Sequence, residues 1–216
     1  DFHGLETIQC MVERRKGGET GVVALQALRG DAVWKAMQAG SWTAGGWDPL
    51  LFEACLSRSH TLTPARATFS DVYPTVEDMR KLVNRPAGTS QRSGAAPRPG
   101  TAPRQGGFPG RGPVAYRYEY ADGVKATMLL LNGVVADFNF AARLKGRREP
   151  LSTQMYYTPG LTTRNIFSPL CRHVETFFQT GQAPYPVERT LMTTGLTAMG
   201  VETLLGGAGA DAGDDA

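Results

Sequence analysis

Three histidines, His3, His60 and His173, carry most of the acid–base potential of this chain. His3 and Glu6 are three residues apart, so a helix that begins early puts both on one face, where the carboxylate can orient the imidazole for proton transfer. The same spacing suits a terminal histidine that makes a surface hydrogen bond and nothing more. Cys171 and His173 point to different sides of a helix, which disfavours a thiolate–imidazole pair. His60 follows a serine-rich helix end and is expected at the surface. Arg14, Arg15 and Glu19 form a charged group that either lines the mouth of a substrate site or is a solvated helix end. The run Gly17-Gly18-Glu19-Thr20-Gly21 resembles a phosphate cradle in composition only. It follows a helix and lacks both the P-loop lysine and the strand–loop–helix order that aims amides at phosphate, so a helix stop and turn is expected. No GxGxxG, HExxH, GxSxG or spaced set of metal ligands occurs, and the sequence holds no self-sufficient catalytic motif.

The elements that would position these residues are readable from periodicity. Leu5, Ile8, Met11 and Val12 recur at helical spacing, and Arg14, Arg15 and Lys16 before Gly17-Gly18 suit a helix C-terminus, predicting a helix over Leu5–Arg15. Asp31 is placed to cap a short helix through Trp34 and Met37. Asp48-Pro49 reads as a cap followed by proline at the first helical position, and Thr75-x-x-Asp78 as a capping box. The run Gly21 to Leu28 fits helix or strand by periodicity, and its bracketing glycines favour strand. Further on, Tyr116, Tyr118 and Tyr120 alternate with Arg117 and Glu119. Asp122-Gly123 leads into Lys125–Leu131, and Asn132-Gly133 into Val134–Arg143. DG and NG between alternating runs are hairpin signals, so these three runs predict an antiparallel meander joined by type I′ turns. Ser168-Pro169 is expected to open a helix reaching Gly181, and Pro186 another that carries Leu191, Met192, Leu196 and Met199. Gly195 and Gly200 inside the latter point to close packing against a neighbour.

Together these predict an α+β fold, an antiparallel β-meander sheet with helices packed on one face. Its other face, too apolar for water, is expected to meet a subunit or a further domain, or else to be covered by this chain's own helices. The organisation reads as a mainly helical part over 1–85, a Pro/Gly/Arg-rich linker or loop over 86–113 expected to be disordered, the meander with C-terminal helices over 114–205, and an acidic tail over 206–216 also expected to be disordered. The linker holds 6 Pro and 7 Gly with Phe108 its single bulky apolar residue, too little to offset the entropy of ordering. Its four arginines, without an acid, account for the whole net charge of +3 and leave the body near neutral. Four arginines and one aromatic are thin for single-strand binding, so a nucleic-acid partner is disfavoured. The greasiest stretch, Met128 to Leu131, is far below the roughly 20 residues of a membrane span, and no membrane helix is expected. Cys10, Cys55 and Cys171, an odd number at wide spacing, fit a reduced, cytoplasmic compartment. The opening Asp1-Phe2-His3 reads as a fragment or a processed chain.

Several strings carry a family likeness: HGLETIQCMVERRKGGETGV from His3, GDAVWKA from Gly30, YADGVKATMLLLNG from Tyr120, FAARLKG from Phe140 and PYPVERTLMTTGL from Pro184. They resemble the C-terminal part of an uncharacterised bacterial group similar to the Gfo/Idh/MocA oxidoreductases, over most of the chain except linker and tail. The resemblance implies a two-domain parent, with a nucleotide-binding domain outside this chain and an α+β domain whose sheet supports substrate and forms a homo-oligomer interface. It implies an NAD(P)-dependent oxidoreductase acting on a sugar-like or polyol substrate. NAD or NADP would be held by the other domain, and no cofactor by this segment alone. In such families a lysine of a Glu-Lys-Pro motif and a histidine of a downstream Asp/His motif serve the chemistry. This chain has no Glu-Lys-Pro, and Asp1-x-His3 departs from the second motif in spacing. On this reading His3 and Glu6 are the acid–base candidates, and Arg14, Arg15 and Glu19 the substrate-binding ones. The alternative is a non-catalytic interaction module that self-associates.

Overall fold

The structure, a computed structural model, describes residues 2–62, 75–83, 112–155 and 163–206. The expected linker, apart from 112–113, and the expected acidic tail, apart from Gly206, lie outside the described residues. The chain opens with helix α1, Phe2–Val12. It begins earlier than periodicity suggests and ends three residues sooner, because the chain tightens at Arg14 and Arg15 into bonds to Met11 and Val12 before Gly17 and Gly18 turn it with positive φ.

Strand β1, Val22–Arg29, follows, as the bracketing glycines indicate. A single residue, Gly30, joins it to helix α2, Asp31–Ala39. Gly30 has φ 58° and occupies the N-cap position without a side-chain cap, so the expected cap Asp31 stands instead in the first turn, where its charge complements the helix dipole. In helix α3, Pro49–Leu56, Asp48 caps as expected, accepting from the Leu50 amide at 2.9 Å with Pro49 at the first position. Helix α4, Val76–Val83, has the full reciprocal box. The Thr75 hydroxyl oxygen accepts from the Asp78 amide and the Asp78 carboxylate from the Thr75 amide, each at 3.2 Å.

Strands β2, Val114–Tyr120, and β3, Lys125–Leu130, form the expected hairpin. Its turn is not type I′: only Gly123 has positive φ, and the Gly123 amide bonds to the Tyr120 carbonyl, a loop closed by a glycine bulge. The third strand of this sheet is β1, antiparallel to β2, giving the order β1-β2-β3. The expected membership of 134–143 is therefore corrected. At Asn132-Gly133 the chain turns out of the sheet and buries Leu131 and Val134 with Trp34 and Met79. Gly133 there approaches α4 so closely that a Cβ would stand 2.9 Å from the Leu82 carbonyl oxygen. Strand β4, Phe138–Ala142, pairs instead with β5, Leu151–Met155, in a separate two-stranded sheet that the sequence did not announce.

Two long helices complete the chain: α5, Thr163–Thr180, and α6, Glu188–Gly206. Pro169 lies inside α5 instead of opening it. The three β2 tyrosines are buried in one cluster with Leu5 of α1, Met128 of β3 and Leu196 of α6. On the opposite face Ala115 packs with Val33 and Ala36 of α2 and with Trp47. The α+β class holds, and helical cover reaches both faces of β2. Of the two covers expected for the second apolar face, the chain's own holds at Ala115: it comes from α2 and the 41–47 segment, whose carbonyls at Trp42 and Gly46 are gripped by Arg117 at 2.7 and 3.0 Å.

Candidate functional site

The residues selected from sequence fall on α1 and its return into β1. His3 is exposed, with its ring edge-on to Phe2 at 5.8 Å and Phe138 at 6.2 Å. The Glu6 carboxylate turns the other way and accepts from the Thr193 hydroxyl of α6 at 2.5 Å. The i,i+3 spacing shares a helix face as expected, yet the two functional groups diverge toward β4 and α6, and no hydrogen bond or ion pair joins them.

Arg14 donates to the Cys10 carbonyl of its own helix, at 3.0 Å. Arg15 is fully engaged: it donates to Asp122 at 2.7 Å, to Thr20 at 2.8 Å and to the Val12 carbonyl at 3.0 Å, and lies 4.6 Å over the Tyr120 ring. The Glu19 carboxylate accepts from the amides of Thr20 and Gly21 at 2.8 and 2.7 Å and from the side chain of Gln9. Gln9 in turn accepts from the Tyr120 hydroxyl at 2.7 Å. Burial, reinforced by the Glu19 charge, pushes the Tyr120 hydroxyl up to about 12. This network ties α1 to the β2–β3 hairpin. It also decides the Gly17–Gly21 run: the amides of Thr20 and Gly21 already hold the Glu19 carboxylate, and the order is helix–loop–strand, so these residues do not fit a dinucleotide pyrophosphate.

A second constellation, not selected from sequence, centres on Asp137. Beyond Leu56 the end of α3 unwinds through Ser57, with Arg58 and Ser59 amides bonding to Cys55 and Leu56 carbonyls. That unwinding aims the next amides at the approach to β4. The Asp137 side chain is wholly covered. Its oxygens accept from the Ser59 hydroxyl at 2.9 and 3.0 Å, the His60 amide at 3.0 Å, the Thr61 amide at 3.3 Å, Asn139 Nδ2 at 2.6 Å and Gln154 Nε2 at 2.9 Å. Burial alone would raise this carboxyl, but the bonds from Ser59, Asn139, Thr61 and the His60 amide outweigh it and hold the group below the usual carboxylate value.

The geometry also selects a tautomer for His60. Asp137 is an acceptor only, so the nitrogen of the Gln154 amide must face it. The same nitrogen lies 2.5 Å from His60 Nδ1, and its second hydrogen makes Nδ1 the acceptor. Nε2 therefore carries the proton in the neutral ring. The Asp137 carboxylate lies 3.4 Å from the same Nδ1. An imidazole fixed at one nitrogen by a buried carboxylate and an amide, with its side chain 36% exposed, offers Nε2–H as a donor and can give that proton up only from the doubly protonated ring.

No sequence signal links positions 60 and 137. Asp137 lies in an ordinary alternating run, and only the α3 unwinding brings the two together across 77 residues. Among the described residues no group of three or more His, Cys, Asp or Glu side chains could hold a metal ion. The described cysteines are free, and burial pushes the Cys55 thiol up to about 11, away from nucleophilic use. No described helix is long and apolar enough to cross a membrane. No family model matches the chain, and no curated protein or solved structure matches it.

Proposed function

We propose that this chain is the substrate-facing and self-associating portion of an NAD(P)-dependent oxidoreductase-like protein of the Gfo/Idh/MocA kind, acting on a sugar-like or polyol substrate in the cytoplasm. The observation that carries the reading is α5. It exposes Phe167, Leu170, Val174, Phe177 and Phe178 to solvent on a helix whose described side chains, from Phe167 to Thr180, are all exposed. A contiguous apolar stripe of that kind belongs against other protein. The nicotinamide cofactor supplies hydride chemistry and, since Gly17–Gly21 do not fit its pyrophosphate, it is held by a domain outside this chain. The chain's own chemistry is then to bind substrate and to hold a proton at His60 Nε2. His3, with no carboxylate partner among the described residues, and Glu6, bound to Thr193, fit an acid–base role less well than the imidazole beside Asp137.

The test is titration of this 216-residue chain and of the intact gene product with NADH and NADPH, followed by cofactor fluorescence. Saturable binding by the intact product alone is expected. Binding by neither, with stable self-association of the chain, would leave the non-catalytic interaction module as the better account, which the internal engagement of Arg15 and Glu19 also favours.

A further inference from the structure

A shallow concavity of about 390 Å³ lies beside the Asp137 constellation, lined by Arg58, Arg147 and Arg148 with Glu149, Leu151 and Ser152. Its position follows from strand alternation. Ser152 and Gln154 lie on the same face of β5, about 7 Å apart along the strand. Arg58 donates to the Ser152 hydroxyl at 2.9 Å, and Gln154 holds His60, so the two links run side by side. His60 therefore stands at one end of an arginine wall. Arg147 and Arg148 are delivered to that wall by the β4–β5 turn, where the Arg147 amide bonds to the Leu144 carbonyl and Gly146 has positive φ.

Three guanidinium groups here face one carboxylate, Glu149, and none of the three forms an ion pair with an acidic side chain among the described residues. Like charges gathered in a concavity repel one another unless an anion joins them, and planar guanidinium forks match carboxylate and phosphate oxygens bidentately.

We propose that this concavity is a binding site for a small oxyanion, a carboxylate or phosphate group, held by Arg58, Arg147 and Arg148 with the Ser152 hydroxyl, and that it places the rest of such a ligand within reach of His60. The inference stands apart from the oxidoreductase reading, since it requires neither a nicotinamide nor a second domain.

The test is titration of the whole chain with inorganic phosphate and, separately, with acetate at constant ionic strength, while the imidazole resonances are followed by NMR. The His60 signal should move saturably with at least one of the two anions, while that of His173, on α5, should not. The double variant Arg147→Gln/Arg148→Gln, checked for an unchanged fold by its amide spectrum, should weaken the response about tenfold or more. Saturation by phosphate alone assigns a phosphate ligand, by acetate alone a carboxylate ligand, and by both a site for either. A shift that is linear for both anions, that His173 shares equally, or that the double variant leaves intact would overturn the proposal.

Discussion

Gly200 of α6 lies directly on the ring of Tyr116: a Cβ at this glycine would stand 2.4 Å from the tyrosine Cζ and 2.5 Å from Cε2. The ring is wholly buried and cannot swing aside. Gly200→Ala should therefore cost about 1–3 kcal/mol, because overpacking a filled core forces backbone movement. Gly195, earlier in the same helix, has open space where its Cβ would lie, with nothing within 4 Å. Gly195→Ala should gain about 0.5–1 kcal/mol from helix propensity. Urea midpoints of the two variants should move in opposite directions.

Arg117 sits on the other face of β2 and is the clasp of the 41–47 segment. It donates to two carbonyls and to Gln26, and lies 4.2 Å over the Trp42 ring. Lysine keeps the charge but not the planar fork, and it leaves the carbonyls short of donors. Arg117→Lys should destabilise by about 1–3 kcal/mol. Its thermal unfolding should show this together with a change in Trp42 fluorescence. An unaltered midpoint would mean that water replaces the lost donors.

How much of this was legible in the sequence depends on the range of the interaction. The caps at Asp48 and Thr75–Asp78, the strand after Gly21 and the Asp122-Gly123 hairpin are local, and the residues concerned carry their own geometry. The Asn132-Gly133 signal was equally local yet misled. A glycine turn says that the chain reverses, not which strand it returns to. Burial of Leu131 and Val134 with Trp34 and Met79 draws the chain off β3, and β4 then finds its partner in β5. His3 and Glu6 shared a helix face as expected, but tertiary partners at Phe138 and Thr193 drew them apart. The Asp137 constellation joins segments 76 to 78 residues apart, and nothing in either segment names the other.

Asp137 converts directly into a pH dependence. Its folded-state pKa is lowered, so the unfolded chain takes up the proton first as pH falls. The stabilisation it contributes is complete above its unfolded value, about 3.9, and is lost as pH falls through the folded value. Asp137→Asn should cost about 2–3 kcal/mol at neutral pH, since its amide hydrogens would confront the donors of Ser59, His60 and Thr61. Stability measured against pH should fall less steeply on the acid side in the variant than in the parent chain. Parallel acid limbs would show that other carboxylates dominate.

On the proposed reading, the apolar stripe of α5 separates association from folding. Phe167, Leu170, Val174 and Phe177 follow a 3-4-3 spacing, the seam of a helix that packs on another helix. Because these side chains stand exposed in the single chain, replacing them removes little from its own core. Leu170→Asp/Phe177→Asp should leave the unfolding free energy of the monomer within about 0.5 kcal/mol. Sedimentation equilibrium should nevertheless show that self-association is lost, since a carboxylate at each of two seam positions would have to be buried without a partner. If the double variant associates as strongly as the parent chain, the contact lies elsewhere. The groove between β1 and α6, with Val23 and Leu191 exposed at its rim, then becomes the surface to vary.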